Sequence, residues 1–300
     1  MCINLMPDRV DLSHVIAHGR ARPEVRLCDS YRKEGGDVAT LTRLRRELDL
    51  NRYRCTTLLP AGAYQMLQVE APSVPAAEMK TAVRWRLKDL IDFPVEAAAV
   101  DAINIPSGDN AATRNRQMLA VAARNELIAA TMQPFNDADI PLDVIDIPEL
   151  AQRNIAHFFE APGRGLALLA FDEHGGLLTF TCDGELYHHR RIELPVARLA
   201  DKAEEQRRQL YDRVVLELQR SLDHFDRQFK NVAVSKVIVT PVSGGDDMQE
   251  YLAANLGVPV KMLDLSQVMD FPRIPELREL ARQTLCLRVI GAAMREEAAA

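Results

Sequence analysis

Short apolar runs separated by turn residues fill the first 60 positions, and they predict a strand meander followed by a helix and a further strand. The runs lie at 3–6, 10–17 and 24–30, with turns at Pro7-Asp8-Arg9 and His18-Gly19-Arg20 between them. Asp37 is expected to cap a helix, and one apolar face of that helix contains Val38, Leu41, Leu44 and Leu48. The stretch 53–59 then predicts a buried strand that ends at Pro60.

The second half of the chain repeats this order. A strand is predicted at 166–171, and a hairpin joins 177–182 to 185–191 across Asp183-Gly184, which is a strong two-residue hairpin signal. A long helix follows, marked at helical spacing by Leu210, Val214, Leu218, Leu222, Phe225 and Phe229. A strand at 237–240 and a helix at 248–256 complete the copy. Two copies of three strands, a helix and a strand indicate an internal structural repeat.

A different unit lies between the two copies. Strands are predicted at 64–69, 98–105, 117–122 and 142–147, and helices at 76–90 and 125–137, the second broken late by Pro134. The first of these helices is expected to place Met79, Val83, Leu87 and Leu90 along one apolar side. The polar turn Ser107-Gly108-Asp109-Asn110 joins the second and third strands. This order predicts a small α+β module inserted between the repeats.

These patterns divide the chain into five parts. They are a first lobe at 1–60, the inserted module at 61–147, a connecting helix at 148–165, a second lobe at 166–272 with a helical part at 192–234, and a C-terminal helix at 273–300. That last helix is apolar on more than one side, at Leu285, Leu287, Val289 and Ile290. We therefore expect it to be buried, against the first lobe.

Charge and cysteine content narrow the class of protein. The chain has 37 Lys and Arg against 43 Asp and Glu, a net charge of −6, which argues against a nucleic-acid partner. No apolar run approaches the ~18 residues of a membrane helix, and no secretory signal is visible. The five cysteines are widely spaced and odd in number, so they predict free buried thiols in a reducing cytoplasm.

Familiar catalytic motifs are absent, and the remaining candidate site consists of loops. There is no P-loop, dinucleotide fingerprint, GxSxG or HExxH, so neither catalytic residues nor a metal centre of a familiar kind is expected. Asp8 and Asp172 follow the first strand of each copy, where paired acidic loops can clasp a phosphate and its metal ion. Gly244 and Gly245 follow the fourth strand of the second copy and allow close backbone approach. The alternative for each is an ordinary turn residue.

Four segments, in this order, resemble the family of the type IV pilus assembly protein PilM and its relative MshI, of mannose-sensitive haemagglutinin (MSHA) pilus biogenesis. They are EMKTAVRWRLKDLIDFPVEAAAVD at 78–101, LAVAARNELIAATMQPFNDADIPLDVIDIPELAQRNIA at 119–156, LELQRSLDHFDRQF at 216–229 and LCLRVIGAAMRE at 285–296. The resemblance implies an α/β fold of the actin-like (RNase H-like) class, a duplicated two-lobe fold with an inserted FtsA-like α+β subdomain. It also implies a cytoplasmic scaffold, peripheral at the bacterial inner membrane, that grips the cytoplasmic tail of a PilN-like bitopic membrane protein and meets other pilus platform proteins.

The family resemblance also bears on nucleotide binding, because PilM binds ATP in its interdomain cleft. The family's first phosphate loop reads Asp-x-Gly-Ser, whereas positions 4–9 here read Asn-Leu-Met-Pro-Asp-Arg, with no glycine or serine. His174 stands where the family has glycine, and Pro241 begins the adenosine-side loop. We therefore expect a pseudo-ATPase without a resident cofactor. The alternative is an active Mg-ATP-binding ATPase that uses Asp8, Asp172, Gly175, Gly244 and Gly245.

The expected partner surface lies on the inserted module. Trp85 is off the apolar stripe of its predicted helix, so it is either covered by the rest of the chain or available as an interface anchor. The family resemblance implies a groove between the module and the first lobe that receives an extended tail with an Ile-Asn-Leu-Leu-Pro-like motif. We expect Trp85, Leu90, Phe93 and Pro94 to contact that tail, whose backbone pairs with an open strand edge.

Overall fold

The structure is a computed structural model, and it describes residues 1–16, 22–106, 116–172, 175–194 and 203–295. The strands are β1 (Cys2–Leu5), β2 (Arg9–Ile16), β3 (Glu24–Arg32), β4 (Cys55–Leu58), β5 (Tyr64–Glu70), β6 (Ala98–Asn104), β7 (Gln117–Arg124), β8 (Leu142–Asp146), β9 (Gly165–Asp172), β10 (Gly175–Cys182), β11 (Glu185–Ile192), β12 (Val234–Val239) and β13 (Val260–Met262). The α-helices are α1 (Asp37–Leu48), α2 (Met79–Leu87), α3 (Asn125–Asp137), α4 (Pro148–Ala156), α5 (Glu204–Gln228), α6 (Met248–Asn255) and α7 (Leu280–Ala293). The predicted turns at 18–20 and 107–110, and His174, lie outside the described residues.

Two five-stranded sheets have the same internal order. The first runs β3-β2-β1-β4-β8 and the second runs β11-β10-β9-β12-β13, so in each the first strand is flanked by the second and the fourth. In the second sheet β10 is antiparallel to β9 and β11, while β12 is parallel to β9 and β13. The repeat of three strands, a helix and a strand is confirmed. The predicted superposition of the two lobes stays a prediction.

The hairpin of the second sheet forms at the predicted dipeptide. Asp183 and Gly184 have φ of 51° and 80°, as a two-residue turn with a primed geometry requires. Thr179 and Phe180 of β10 point to opposite faces of the sheet, and both are fully buried. Phe180 stacks on Phe225 of α5, with ring centroids 4.7 Å apart, which fixes that helix against the hairpin.

The inserted module has a three-stranded antiparallel sheet in the order β5-β7-β6. Its core is a cluster that contains Val83 and Leu87 of α2, packed with side chains from all three strands. The predicted strand at 142–147 does not join this sheet, because β8 pairs in parallel with β4 of the first sheet. α3 is one helix that runs through Pro134, whereas the sequence predicts a break there.

The contacts between residues divide the chain into two compact units. Unit 1 comprises Met1–Asn4, Asp11–Ser30 and Glu149–Ala300, and unit 2 comprises Leu5–Val10 and Tyr31–Pro148. Unit 2 contains the inserted module, while unit 1 contains the second sheet together with α4 and α7.

Three helix ends differ from the prediction. Gly36 rather than Asp37 is the cap of α1, and Asp37 lies in the first turn, where it pairs with Lys33. α2 ends at Leu87, so Leu90 falls beyond the apolar stripe and is 56 % exposed. The C-terminal helix α7 begins only at Leu280, after a short 3-10 turn.

α7 is largely buried, as expected, although Leu285 is exposed. Leu287, Val289 and Ile290 are buried, whereas Leu285 is 69 % exposed. The helix packs on β9 of the second sheet, and its Gly291 approaches α4 so closely that a Cβ there would lie 2.0 Å from the carbonyl oxygen of Ala151. Its Cys286 thiol is hydrogen-bonded to that of Cys28 in β3 of the first sheet. The predicted burial of this helix against the first lobe stays a prediction.

Candidate functional site

The loop between β1 and β2 is closed by its own backbone. The amide of Met6 donates to the carbonyl oxygen of Arg9 at 2.9 Å, and Pro7 has no N–H to offer. The Asp8 side chain is 76 % exposed and lies 3.4 Å from the guanidinium of Arg9. A phosphate cradle needs several backbone N–H groups aimed at one point, and this turn presents no glycine and has already used one donor.

The corresponding loop of the second copy begins at Asp172, at the end of β9. Its carboxylate forms an ion pair with Arg288 of α7, and the two side chains are only 18 % and 23 % exposed. The Asp172 carboxylate, which would have to bind a magnesium ion, is therefore neutralised by Arg288 within unit 1. The sequence did not predict this ion pair. The pair joins residues far apart along the chain, so no local pattern indicates it.

Gly175 has a structural reason to be glycine. Its φ is +136°, and a Cβ at this position would lie 2.4 Å from the carbonyl oxygen of Ile192 in β11. No other residue type fits this close approach of two strands without a shift of backbone. The glycine is thus explained by the hairpin alone, with no requirement for a nucleotide.

The loop after β12 forms a tight turn into α6. Gly244 has a φ of +71°, and the amide of Gly245 donates to the carbonyl oxygen of Val242 at 3.0 Å. Beneath it, the hydroxyl of Tyr211 donates to the Asp247 carboxylate at 2.8 Å. Burial and this carboxylate raise the pKa of Tyr211 well above its usual range, so the hydroxyl keeps its proton.

The carboxyl ends of β9 and β12 lie at one edge of the second sheet. The two strands are parallel neighbours, and the amide of Phe171 donates to the Thr240 hydroxyl at 3.0 Å. This places Asp172 and the Gly244-Gly245 turn at the same edge, as the predicted site requires. The structure therefore brings together the site residues of the second copy, and it shows each of them with a partner or a packing role.

A buried carboxylate that the sequence analysis missed lies in the first turn of α4. Glu149 is 1 % exposed, and its carboxylate lies 3.3 Å from the guanidinium of Arg191 in β11. One turn along the helix, the amide of the buried Gln152 lies within 3.0 Å of three acceptors, the carbonyl oxygens of Leu168 and Leu177 and the Thr179 hydroxyl. These contacts fasten α4 to the second sheet and leave Glu149 paired.

The predicted partner surface on the module divides into exposed and buried members. Trp85 and Leu90 are 62 % and 56 % exposed, the largest values for big apolar side chains among the described residues of unit 2, and Pro94 is also exposed. Phe93 is 8 % exposed and belongs to the module core, with the Arg124 guanidinium 4.5 Å from its ring centroid. Phe93 is therefore not available as a surface anchor.

Basic side chains surround the exposed tryptophan. The ammonium group of Lys88 lies 6.0 Å from the Trp85 ring centroid, a distance at which the cation is attracted to the ring. Arg84 donates to the carbonyl oxygen of Ala98 at 3.2 Å, which holds α2 along the edge strand β6. We name the exposed side chains Trp85, Lys88 and Leu90 the tryptophan patch.

In the part of the chain that the structure describes, no three histidine, cysteine or acidic side chains are placed to hold a metal ion. Among the same residues, no helix combines the length and the apolar character needed to cross a membrane.

The duplicated sheet order, with a helix between the third and fourth strands of each copy and a module inserted in the first half, is that of an actin-like fold. Comparison with solved structures agrees. The chain superposes on a structure of the PilM-PilN type IV pilus biogenesis complex with a TM-score of 0.71 and 20 % identity, over 97 % of this chain and 96 % of that one.

Two further structures have lower scores. One is a Bacteroides thetaiotaomicron protein of unknown function with an actin-like ATPase fold, with a TM-score of 0.47 and 10 % identity over 93 % of this chain and 94 % of that one. The other is the cytoplasmic domain of EpsL from the Vibrio cholerae type II secretion system, with 0.47 and 11 % over 95 % and 93 %. No family model and no curated protein sequence matches the chain.

Proposed function

We propose that the chain is a scaffold of a type IV pilus assembly platform, of the MSHA-like kind, and that it binds the cytoplasmic tail of a PilN-like bitopic membrane protein. The observation that carries this proposal is the shared fold with PilM over nearly the full length of both chains. The scaffold would be cytoplasmic and peripheral at the inner membrane, held there by its partners.

The proposal includes a degenerate nucleotide cleft. It is supported by the self-closed loop around Asp8 and by the ion pair between Asp172 and Arg288. A magnesium ion would have to displace the guanidinium from a mostly buried carboxylate, which leaves Arg288 without its partner. The alternative function is an active Mg-ATP-binding ATPase, in which nucleotide binding displaces the Arg288 side chain from Asp172.

Isothermal titration calorimetry of the full chain with Mg-ATP separates the two readings. We expect no binding tighter than roughly 100 μM, which corresponds to about 5.5 kcal/mol. Asp172→Asn and Asp8→Asn serve as a matched pair, since each removes one candidate carboxylate. A low-micromolar isotherm in the wild type that Asp172→Asn abolishes would establish the ATPase reading instead.

The tail-binding surface is proposed to be the tryptophan patch together with the free edge of β6. Among the described residues β6 pairs with one strand, β7, and apart from the Ala98 carbonyl that Arg84 occupies, its other edge is proposed to add a strand from an extended peptide. Trp85 and Leu90 offer apolar area beside it, and an exposed tryptophan is a frequent interface anchor. Phe93 is excluded as a contact by its burial, and it serves to hold the module core.

The test is a titration with a synthetic tail that contains the Ile-Asn-Leu-Leu-Pro-like motif. We expect Trp85→Ala to weaken binding by about 2 kcal/mol, or roughly 30-fold, as for a central anchor. Leu90→Ala should weaken it less, and Leu285→Ala, which truncates a leucine in unit 1 that is more exposed than Leu90, should leave it unchanged. Equal affinities in all three variants would show that the tail binds elsewhere.

A further inference from the structure

A cavity of about 370 Å³ lies in unit 1 against β12 and β13 of the second sheet. Its apolar lining is formed by Phe159, Ile238, Met262 and Leu280. The size is that of a small-molecule site. The cavity is separate from the candidate nucleotide site at Asp172 and the Gly244-Gly245 turn. Lys236, one of the lining residues, pairs with Leu166 at the amino end of β9. Asp172 lies six residues further along that strand, which is about 20 Å at the rise of an extended chain.

Two lysines line this cavity from adjacent strands. Lys261 of β13 is the register partner of Ile238 in β12, and Lys236 precedes Ile238 by two residues. Side chains two residues apart on a strand share a face, and register partners lie side by side. Lys236 and Lys261 therefore occupy one face, with Cα atoms about 8 Å apart from strand spacing and rise, and both reach the same cavity.

Neither of these ammonium groups has a carboxylate partner among the described residues. Burial lowers the pKa of Lys236, and the positive charge of Lys261 lowers it further, as expected for two cations that face one space without compensation. A carboxylate paired with Lys236 would raise the pKa of this lysine instead.

The single acid that lines the cavity, Asp264, contributes one negative charge, and its carboxylate accepts hydrogen bonds from neutral groups instead of pairing with either lysine. The Oδ1 atom of Asp264 accepts hydrogen bonds from the amide and the hydroxyl of Ser266, at 2.9 and 2.6 Å, and lies 3.4 Å from the amide nitrogen of Gln283. The remaining polar lining is provided by the side-chain amides of Gln249 and Gln267. One N–H of Gln249 donates to the carbonyl oxygen of Val260 at 3.2 Å, and the Gln267 side chain hydrogen-bonds the Asp264 carboxylate, so each amide has one further N–H to donate. The cavity thus combines the partly buried Lys236 and the exposed Lys261 with one carboxylate and two amides.

We propose that this cavity, which we call the lysine cavity, binds a compact phosphate group, either free phosphate or the phosphate of a small organic ester. Two ammonium groups match the double negative charge of a phosphate, and amide donors match its further oxygens. The volume of about 370 Å³ exceeds that of a phosphate group, so a small organic group can contact the apolar lining residues. The proposal does not depend on the proposed pilus function or on the candidate nucleotide site at Asp172.

Titration of the full chain with inorganic phosphate, glycerol phosphate and succinate in a phosphate-free buffer tests the proposal. We expect saturable binding of both phosphates and weaker binding of succinate. Tighter glycerol phosphate binding identifies an organic ester as the preferred source, and equal affinities identify free phosphate. Succinate bound as tightly as either phosphate, or no saturation below roughly 10 mM, where binding is worth under about 3 kcal/mol, would overturn it.

Variants locate the site. Lys236→Met and Lys261→Met should each weaken phosphate binding at least about tenfold, because each removes a charge-assisted hydrogen bond. Lys230→Met removes an exposed lysine of the same unit and should change nothing. As a second readout, saturating phosphate should slow acylation of Lys236 by an amine-reactive reagent, measured by mass spectrometry, and leave Lys230 unaffected. Equal effects on Lys236 and Lys230 in either measurement would refute a built site.

Discussion

Removal of the Asp172 charge is expected to destabilise unit 1, whereas the same change at Asp8 is expected to have little effect. Asp172→Asn leaves the Arg288 guanidinium, of which only 23 % is exposed, without its carboxylate. Breaking a fully buried ion pair costs about 3–5 kcal/mol, and because about a fifth of each side chain remains in water, we expect about 2–3 kcal/mol here. Asp8 is 76 % exposed, so Asp8→Asn should change the free energy of unfolding by under about 0.5 kcal/mol.

Thermal unfolding followed by circular dichroism measures this difference. For a cooperative unit of 150–250 residues, 1 kcal/mol shifts the Tm by about 2–4 °C, so Asp172→Asn should lower it by about 5–10 °C and Asp8→Asn by under about 2 °C. The double variant Asp172→Asn with Arg288→Met should be less destabilised than the sum of the single variants. Equal shifts for the two aspartates, or strict additivity, would show that the pair does not hold Asp172 in the folded chain.

Three further outcomes follow from the packing. Gly291→Ala should lower the free energy of unfolding by at least about 3 kcal/mol, since its Cβ would strike the backbone of α4, while Gly257→Ala, with no atom within 4 Å, should have no comparable effect; urea unfolding compares them. Burial and two neighbouring histidines lower the pKa of His188 to about 4, so stability should be full above pH 6.5 and fall as the pH drops toward 4, and His188→Gln should flatten urea midpoints measured between pH 7 and 5. Phe93→Ala should destabilise the module by about 3 kcal/mol and Trp85→Ala by under about 0.5 kcal/mol, as hydrogen exchange within the module can resolve.

The elements with strong local signals were predictable from sequence. Asp183-Gly184 is a strong hairpin signal, and the apolar residues of α5 recur at helical spacing over about five turns, so the local sequence was sufficient to predict both elements. The duplicated order followed from these elements. The sheet to which β8 belongs was harder to predict. Its sequence is compatible with a strand of either the module sheet or the first sheet, and its pairing with β4 depends on packing between distant residues.

The candidate site was predictable only in its loop positions. Asp172 and Gly244 were found because both follow strands, but the partner of Asp172 lies on the last helix, where a lone arginine carries no signal. Leu90 was predicted to lie on the apolar stripe of its helix but is exposed, whereas Phe93 was predicted to lie on the partner surface but is buried. Leu90 as a partner contact stays a prediction. The helix ends three residues before Leu90, which leaves that side chain in solvent, and the turn that follows folds Phe93 back into the module core.

Unit 1 is discontinuous along the chain, and this has a consequence for its synthesis. The guanidinium of Arg22 donates to the carbonyl oxygen of Met269 at 3.0 Å, across a separation of 247 residues, and Val25 donates to Asp270 beside it. At ribosomal speeds of about 5–20 residues per second, the strand that contains Val25 waits roughly 10–50 s for these partners to be made. Unit 2 has all of its residues by Pro148 and is free to fold earlier. During that interval β3 stays without these long-range contacts, so slow translation or truncation before Met269 leaves the chain more exposed to aggregation and to chaperones.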